Sequence, residues 1–295
     1  MADGSLEPAA LNQLMSQMRP RLHRYCARMV GSAIDGEDVV QDALAKAVEA
    51  RPGAGIITHP EHWLFRIAHN TALDALRRRK RRASVLSEAE PARIADVGAA
   101  ADARVAATAS LAALLHLPTA QRASVVLADV LGHSLAETAE ILGVSLAAVK
   151  AALHRGRARL QTAPRAWDAP PNALDPEDRR RLFDYADRFN ARDFDALRAL
   201  LAEEVRLDLV DRVRLSGRKD VSVYFTRYSE SRDWLVFPGL AEGRPALLMR
   251  DPAEPSGSVT NVVFLDWADG SIARIHDFRY APYILETLDY SAAER

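Results

Sequence analysis

The stretch between residues 60 and 82 constrains this chain most, because its residue spacing predicts a single helix with two distinct faces. Apolar residues recur at helical intervals along one face, namely Leu64, Ile67, Ala68, Ala72 and Ala75. A polar stripe follows another face and holds Arg66, Asn70, Asp74, Arg77 and Arg81. The helix ends in six consecutive basic residues, Arg77 to Arg82. Such a helix suits docking onto nucleic acid, and a solvated surface helix with a solubilising basic tail is the alternative.

The charge of the chain is unevenly distributed. Its 295 residues are enough for two or three domains. Residues 1–165 hold 21 basic and 16 acidic side chains, a net charge of +5, whereas residues 166–295 hold 18 and 24, a net charge of −6. This asymmetry predicts that only the front part of the chain binds a polyanion.

Composition excludes several classes of protein. The apolar share of 48% and the charged share of 27% are ordinary for a soluble protein. Cys26 is the sole cysteine, which excludes a disulfide and a thiolate metal cluster. No apolar run approaches the roughly 18 residues of a membrane span, and no secretory signal is visible. We therefore expect a cytoplasmic protein without membrane contact, metal or cofactor.

Two amphipathic helices are predicted before the basic one. Apolar residues at three- and four-residue steps between Leu11 and Met29 predict the first helix, which Gly31 ends. Asp35 is the expected N-cap of the second helix, at about 36–50. This helix is expected to bury Val39, Val40, Ala43, Leu44 and Val48, and to expose Glu37, Asp38, Gln41, Asp42 and Glu49.

These stretches resemble region 2 of the bacterial sigma-70 family of RNA polymerase sigma factors, most closely its extracytoplasmic-function group. The similar segments are Asp35-Gly-Glu-Asp-Val-Val-Gln-Asp-Ala-Leu and Trp63-Leu-Phe-Arg-Ile-Ala-His-Asn-Thr-Ala-Leu-Asp-Ala-Leu-Arg-Arg. The resemblance implies that Asp38, Gln41 and Asp42 face the clamp coiled coil of the polymerase β′ subunit. An exposed acidic helix face is the alternative.

The resemblance also implies that the basic helix opens promoter DNA at the −10 element. Opening requires cations for phosphates, aromatic surface for unstacked bases, and polar groups that read an extruded base. The cations are Arg66, Arg77, Arg78 and Lys80. The aromatic residues are Trp63 and Phe65, and the alternative for each is a place in the core. The base readers are Asn70 and Thr71. Asp74 is expected to be a structural partner of an arginine.

A helix-turn-helix is predicted between residues 135 and 160. Leu135, Thr138, Ala139 and Leu142 lie on one helix face, Gly143 marks the turn, and Leu146, Val149, Leu153 and Leu160 mark the second helix. The second helix is expected to enter a major groove, with Ser145, Ala147, Ala148 and Lys150 at base edges, His154 beside them, and Arg155 and Arg157 at phosphates.

This segment resembles sigma region 4, the reader of the −35 element, through Leu117-Pro-Thr-Ala-Gln-Arg, Leu135-Ala-Glu-Thr-Ala-Glu-Ile-Leu-Gly-Val-Ser and Ala148-Val-Lys-Ala-Ala-Leu-His-Arg-Gly-Arg-Ala-Arg-Leu. The polymerase β flap is the partner that the resemblance implies here. The chain departs from the family at Ala151 and Ala152, where a serine and an arginine are frequent. This departure reduces the number of polar side chains on the reading face.

The back of the chain is predicted to be an α+β domain. Helices are expected at Leu182–Phe189 and at Phe194–Leu201, and strands at 205–210, 246–249, 259–267 and 271–279, with Asp269-Gly270 as a hairpin turn. The segment from Phe189 to Val205 resembles SnoaL-like domains, which have the NTF2-like cone fold. Acid–base candidates for a pocket in such a cone are Asp208, Asp211, His276, Asp277 and Tyr280. No second histidine stands at metal-ligand spacing from His276.

The sequence therefore predicts a multidomain chain: two all-α domains and an α+β NTF2-like cone. The predicted boundaries are 1–83 for region 2, 84–107 for a linker, 108–163 for region 4, 164–176 for a second linker and 177–295 for the cone. We expect an alternative sigma factor rather than an enzyme, with core RNA polymerase and promoter DNA as partners. The cone is expected to modulate activity in cis, a role that a separate anti-sigma protein could also fill. The alternatives are a SnoaL-like isomerase or cyclase with a DNA-binding appendage, and a ligand-sensing helix-turn-helix repressor.

Overall fold

The computed structural model describes residues 7–53, 55–84, 111–162, 173–230, 234–253 and 257–294. The chain divides into two compact units, Met1–Trp167 and Asp168–Arg295. The predicted fold class, helical parts followed by an α+β domain, is confirmed by the order of the elements. Most of the two predicted linkers lies outside the described residues. Within those residues, no helix is both long enough and apolar enough to cross a membrane.

Three long helices begin the N-terminal unit: α1 (Pro8–Val30), α2 (Ala33–Ala50) and α3 (Pro60–Ser84), with a short 3-10 helix at Arg51–Gly53. The predicted end of α1 at Gly31 is confirmed, because Gly31 has a left-handed φ of 81° and its N–H donates to the Ala27 carbonyl. At Gly36, α1 and α2 approach so closely that a Cβ would lie 2.6 Å from Cα of Ala27. This contact therefore requires a glycine.

Three expectations for α2 are wrong. The N-cap is Ser32 rather than Asp35, and its hydroxyl accepts a hydrogen bond from the Asp35 N–H. Glu37 is 2% exposed rather than at the surface, because Arg19 on α1 faces it. Val48 is 50% exposed rather than buried, and its neighbour Ala47 occupies the buried position of this last turn.

Four shorter helices follow: α4 (Leu111–Leu115), α5 (Thr119–Val125), α6 (Leu135–Leu142) and α7 (Leu146–Thr162), with a π-helical turn at Val126–Val130. A capping box fixes the start of α6, in which Ser134 and Glu137 each accept a hydrogen bond from the backbone N–H of the other. Gly143 ends α6 with a left-handed φ of 67°. The predicted helix-turn-helix is therefore confirmed as α6 and α7.

One apolar core joins the early and late helices of the N-terminal unit. Its fully buried members include Leu22, Tyr25, Leu64 and Phe65 from α1 and α3, and Leu114, Val125, Ile141 and Val149 from α4 to α7. Regions 2 and 4, which the sequence predicts as separate domains, thus share buried surface in this structure.

The described part of the C-terminal unit holds three helices and a seven-stranded sheet. The helices are α8 (Pro176–Asn190), α9 (Phe194–Ala199) and α10 (Arg218–Ser229). The strands are β1 (Leu201–Leu209), β2 (Val213–Ser216), β3 (Leu235–Ala241), β4 (Arg244–Arg250), β5 (Asn261–Ala268), β6 (Ser271–Asp277) and β7 (Tyr290–Ala292), and a 3-10 helix spans Pro282–Glu286. Their order is β2-β1-β6-β5-β4-β3-β7, and β1 and β6 are parallel.

The helices pack on one face of this sheet, where Leu182, Leu197 and Phe225 meet Leu207 and Ile275. The predicted hairpin at Asp269-Gly270 is confirmed, since both residues have positive φ, of 50° and 77°, between β5 and β6. The expected continuation of the second helix to Leu201 is wrong, because β1 begins there and pairs with β6. The residue patterns of the sequence did not indicate β2, β3, β7 or α10.

Candidate nucleic-acid interface

Helix α3 presents part of its predicted DNA-binding set to solvent. Arg66, Asn70, Arg77, Arg78 and Lys80 are exposed, and Trp63 is half-buried. They lie on the first six turns of one helix, whose apolar face is anchored in the core, so their spacing is fixed. The exposed cations can contact phosphates, and the Asn70 amide can both donate to and accept from a base edge.

Two predicted members of this set lie inside the unit instead. Thr71 is fully buried, and its hydroxyl donates to the Ile67 carbonyl at 2.9 Å. Phe65 is fully buried and packs edge-to-face on Tyr25, with ring centroids 5.9 Å apart, and on His133, at 4.9 Å. In this arrangement neither side chain reaches a base.

An ion-pair network joins α2 to α3. Asp74 accepts from the Arg77 guanidinium at 3.3 Å, which confirms its expected role as an arginine partner. Lys46 on α2 lies 3.7 Å from the same carboxylate, and its ammonium donates to the Thr71 hydroxyl at 3.3 Å. Lys46 is a cation beside the reading face that sequence reasoning missed. The contact crosses between helices, so no spacing within either helix signals it.

Helix α7 carries the second predicted reading face. Ser145, Ala147, Ala148, Lys150, His154 and Arg155 are all exposed on its first turns. The Ser145 hydroxyl accepts from the Ala148 N–H at 3.2 Å, so Ser145 caps the helix as well as lining its tip. A small, mostly uncharged tip followed by cations suits insertion into a groove with flanking phosphate contacts.

Arg157 differs from this set, because its guanidinium forms two hydrogen bonds with Asp129, at 2.5 and 2.9 Å. The Asp129 side chain is 2% exposed, so this pair is a structural link between the π-helical turn and α7. The sequence predicted that Arg157 contacts a phosphate. In this structure its guanidinium is paired with Asp129 inside the N-terminal unit.

The predicted polymerase-binding residues lie on α2, where Asp38 and Asp42 are exposed and Gln41 is half-buried. The Asp42 carboxylate lies 3.6 Å from Arg78 on α3. A groove of about 250 Å³ runs between the two helices, with acidic residues of α2 on one wall and Arg78, Arg79 and Arg82 on the other. Residues predicted to face polymerase and residues predicted to face DNA therefore line the two walls of one groove.

The structure separates the five candidate pocket residues of the C-terminal unit. Asp277 is fully buried on the helix-covered face of the sheet and accepts from Tyr224 at 2.8 Å, Tyr228 at 3.1 Å and Asn261 at 3.2 Å. Burial raises the pKa of Asp277, and it also raises the pKa values of both tyrosines, which therefore remain donors. With every partner a donor, Asp277 acts as an internal brace for α10 and β5.

Asp208 and His276 are paired in the parallel register of β1 and β6. His276 directly precedes Asp277 on β6, so this pair lies on the opposite face of the sheet. Asp208 is held by Arg214 at 3.2 Å and Arg274 at 3.6 Å. Burial and the neighbouring arginines lower the pKa of His276 to about 4, so its ring is neutral near pH 7.

The remaining two candidates lie elsewhere. Asp211 is exposed in the β1–β2 turn with a φ of 61°, and Tyr280 lies under the Arg212 guanidinium, 4.4 Å from the ring centroid. None of the other four candidates pairs with Asp277 to form an acid–base dyad on the helix-covered face of the sheet. Within the described residues, no cluster of histidine, cysteine and acidic side chains is arranged to hold a metal ion.

The contribution of Asp277 to the stability of the C-terminal unit is expected to fall as pH rises above the ordinary carboxyl pKa of about 3.9, and the lowered pKa of His276 acts with the opposite sign in this window. Because the folded-state pKa of Asp277 is raised, the folded state binds more protons than the unfolded state in this window, and deprotonation disfavours folding. The Asp277→Asn variant should lower the overall stability, because the amide N–H₂ that replaces one carboxylate oxygen then faces two hydrogen-bond donors. It should also remove the Asp277 contribution from the slope of stability against pH. Urea unfolding followed by tryptophan fluorescence between pH 4 and 8 measures both effects. A slope in the variant equal to that of the wild type would contradict the assignment.

Comparison with known proteins identifies two parts of the chain. The family model described as Sigma-70 region 2 matches residues 14–82, and the model described as Sigma-70, region 4 matches residues 109–160. ECF RNA polymerase sigma factor SigM of Mycobacterium tuberculosis is 36% identical over 155 residues, which are 51% of this chain and 75% of SigM.

Two further proteins are similar over other lengths. ECF RNA polymerase sigma factor SigG of Mycobacterium tuberculosis is 36% identical over 226 residues, covering 63% of this chain and 57% of SigG. The chain thus spans less than two thirds of the length of that relative. The crystal structure of the Mycobacterium tuberculosis extracytoplasmic function sigma factor SigJ is 20% identical, with a TM-score of 0.35, and the match covers 90% of this chain and 95% of SigJ.

Proposed function

Because this chain belongs to the extracytoplasmic-function RNA polymerase sigma factors, we propose that it binds core RNA polymerase and directs promoter recognition and transcription initiation. The observation that carries the proposal is the pair of exposed, partly basic helix faces, on α3 and on α7, inside the two spans that match sigma regions. One face suits a single strand and the other a duplex groove.

Region 2, at 1–83, performs polymerase docking and promoter opening. Asp38, Gln41 and Asp42 contact the β′ clamp coiled coil. Asn70 reads an extruded base of the −10 element while Arg66, Arg77, Arg78 and Lys80 hold the strand. The acidic and basic walls of the α2–α3 groove support this division, since polymerase and DNA would then approach the same edge from two sides.

Region 4, at 108–163, reads the −35 element from the major groove and docks on the β flap. Ser145, Ala147, Ala148 and Lys150 contact base edges, and His154 and Arg155 contact the backbone. Their common exposure on α7 supports this role. Two alanines, Ala151 and Ala152, are half-buried and buried, so they lie at the margin of this face rather than at its centre.

The domain at 177–295 modulates the activity of the other two in cis, in the cytoplasm, in place of or alongside an anti-sigma protein. The hydrogen bonds that Asp277 accepts from Tyr224, Tyr228 and Asn261 favour a regulatory role over catalysis, because this carboxyl is already used inside the domain. The net charge of −6 on residues 166–295 supports an influence on DNA binding.

Polymerase docking is tested by removing charge from α2. The double variant Asp38→Ala, Asp42→Ala is expected to weaken binding to core RNA polymerase by about tenfold, as loss of a central contact does. The matched control is Glu49→Ala, which removes an exposed acid from the last turn of the same helix. Fluorescence titration of core polymerase measures the three affinities. Absence of binding by the unmodified chain would contradict the proposed function.

The full chain is expected to bind promoter DNA more weakly than a chain that ends at Arg165. Removing residues 166–295 changes the net charge from −1 to +5, which favours a polyanion. We expect a difference of roughly tenfold at 50 mM salt that narrows toward 200 mM, because counterions screen it. Filter binding at matched salt measures both affinities, and equal values at low salt would contradict the modulating role.

A further inference from the structure

Two large apolar side chains are exposed at the start of α7, the helix predicted to read the −35 element. Val144 lies in the turn before the helix and is 46% exposed, and Leu146 is the first helical residue and is 43% exposed. Single exposed apolar residues are ordinary on a protein surface, but these two flank Ser145 and precede two exposed alanines. We call residues 144–148 the tip. It is a mostly apolar surface in a position that the sequence assigns to DNA.

The backbone on both sides holds the tip in place. Gly143 ends the preceding helix with a φ of 67°. The Val144 N–H donates to the Ala139 carbonyl at 3.1 Å across this turn. Beyond Leu146, the fully buried Val149 anchors the helix in the apolar core. Both exposed apolar side chains are therefore carried on backbone that is fixed at each end.

The tip has few hydrogen-bonding side-chain atoms. The Ser145 hydroxyl oxygen accepts from the Ala148 N–H at 3.2 Å and so caps the helix. From Leu146 to Val149 every side chain is a hydrocarbon. Lys150, one turn after Leu146, is the first side chain within the helix that can donate to a base edge. Apart from the serine hydroxyl, the tip has no side-chain atom with which to read the hydrogen-bond pattern of a base pair.

The major groove offers one apolar group to such a surface, the 5-methyl group of thymine. Opposite an A·T pair, the tip can cover this methyl group and remove apolar area from water on both sides. Opposite a G·C pair, it would cover the cytosine amino group and the guanine acceptors without supplying hydrogen bonds, and this desolvation disfavours binding. The exposed apolar atoms of the tip therefore match thymine better than cytosine.

We propose that Val144 and Leu146 determine sequence specificity in the −35 element by packing on thymine methyl groups in the major groove. The inference rests on the proposed function. A recognition helix contacts base edges with its N-terminal residues, and Leu146 is the first of them. Lys150 lies about 6 Å further along the helix axis, with the exposed His154 and Arg155 beyond it. The methyl contacts add the selection of A·T pairs to the polar contacts of these residues.

Uracil substitution tests this on the complex of the full chain with core polymerase. This complex selects a promoter from a library, and each thymine of the −35 element, on either strand, is then replaced singly by uracil. The change removes only the 5-methyl group and leaves the base pair and its hydrogen-bonding edge. We expect affinity to fall by about three- to fivefold at one or two positions, the loss that follows from exposing one methyl-sized group. Competition binding at fixed salt measures each affinity.

5-Methylcytosine provides the converse test at the same positions. It carries the methyl group on a base with a different hydrogen-bonding edge. A pair of guanine with 5-methylcytosine is therefore expected to bind about three- to fivefold more tightly than a pair of guanine with cytosine. Equal affinity for these two pairs at a uracil-sensitive position would show that the tip does not contact the methyl group.

Truncating the apolar side chains connects the methyl contact to the tip. In the double variant Val144→Ala, Leu146→Ala, thymine and uracil are expected to bind within about 1.5-fold of each other, because the partner of the methyl group is gone. The matched control Val223→Ala removes an exposed valine from α10. It should retain the full uracil effect.

Uracil tolerated at every position by the unmodified chain would overturn the inference, whether or not the variants fold. A selected −35 element without an A·T pair, or a full uracil effect retained by the double variant, would overturn it as well. Failure of the unmodified chain to direct transcription contradicts the proposed function instead, and the uracil scan is then made on duplexes that the full chain alone selects at about 50 mM salt. A chain that selects no duplex would overturn both.

Discussion

Replacing Asn70 with Ala is expected to reduce promoter opening by about 10- to 100-fold, the loss that follows removal of a specific polar contact to a base. Asn70 is exposed on α3, one helical turn beyond Arg66 and on the same stripe. Its amide offers donor and acceptor atoms in a fixed position, and no other exposed amide lies on the described part of α3. Permanganate footprinting of the melted −10 strand measures the effect, while binding to core polymerase should stay unchanged.

Gln17→Ala is the matched control for this prediction, because it removes an exposed amide from α1, away from the reading face. Arg66→Ala should also abolish opening, yet that change removes the contact to Glu140 as well, so Asn70 is the cleaner test. Opening at the wild-type level by both the Asn70 and the Arg66 variants would contradict the assignment of α3 to the −10 element.

Removing one partner of the Arg19–Glu37 pair should destabilise the N-terminal unit more than any other single change considered. The two side chains are 8% and 2% exposed, and the Arg19 Nε donates to Glu37 at 2.9 Å. The Glu37→Ala variant leaves a buried guanidinium without its carboxylate, which costs about 3–5 kcal/mol. Urea unfolding monitored by circular dichroism gives the free energy of unfolding.

Two further variants isolate the cause. Glu61→Ala breaks the pair between Arg21 and Glu61, whose atoms lie 3.0 Å apart but whose side chains are 40% and 51% exposed. That change should cost no more than about 1 kcal/mol. The double variant Arg19→Met, Glu37→Met removes both buried charges and should recover most of the loss. A cost for Glu37→Ala similar to that for Glu61→Ala would contradict the role of burial.

Local sequence patterns predicted the parts of the fold that local physics determines. The apolar spacing on α3 and on α6–α7 predicted helices with one buried face, and the two exposed reading faces follow from the same periodicity. Gly31, Gly143 and Asp269-Gly270 marked ends and turns that require positive φ. These features depend on residues within a few positions of one another.

Three of the failures originate in contacts between residues that are distant in the sequence. Glu37 is charged, a property typical of surface positions, and its ion pair with Arg19, 18 residues earlier, explains its burial. Phe65 is covered by His133 from the loop before α6, and Asp277 is braced by side chains of α10 and β5. Ser32 took the capping role expected of Asp35 because α2 begins three residues earlier than its charge pattern indicates.

Run-off transcription from a promoter library tests most directly whether this chain gives core RNA polymerase a promoter specificity. Core polymerase alone provides the baseline, and the chain with Asn70→Ala provides the matched control. We predict transcripts from a distinct promoter class that appear only when the unmodified chain is added, and that fall sharply with the variant. Transcripts unchanged by addition of the chain would contradict the account, and tight duplex binding without polymerase would then favour a repressor.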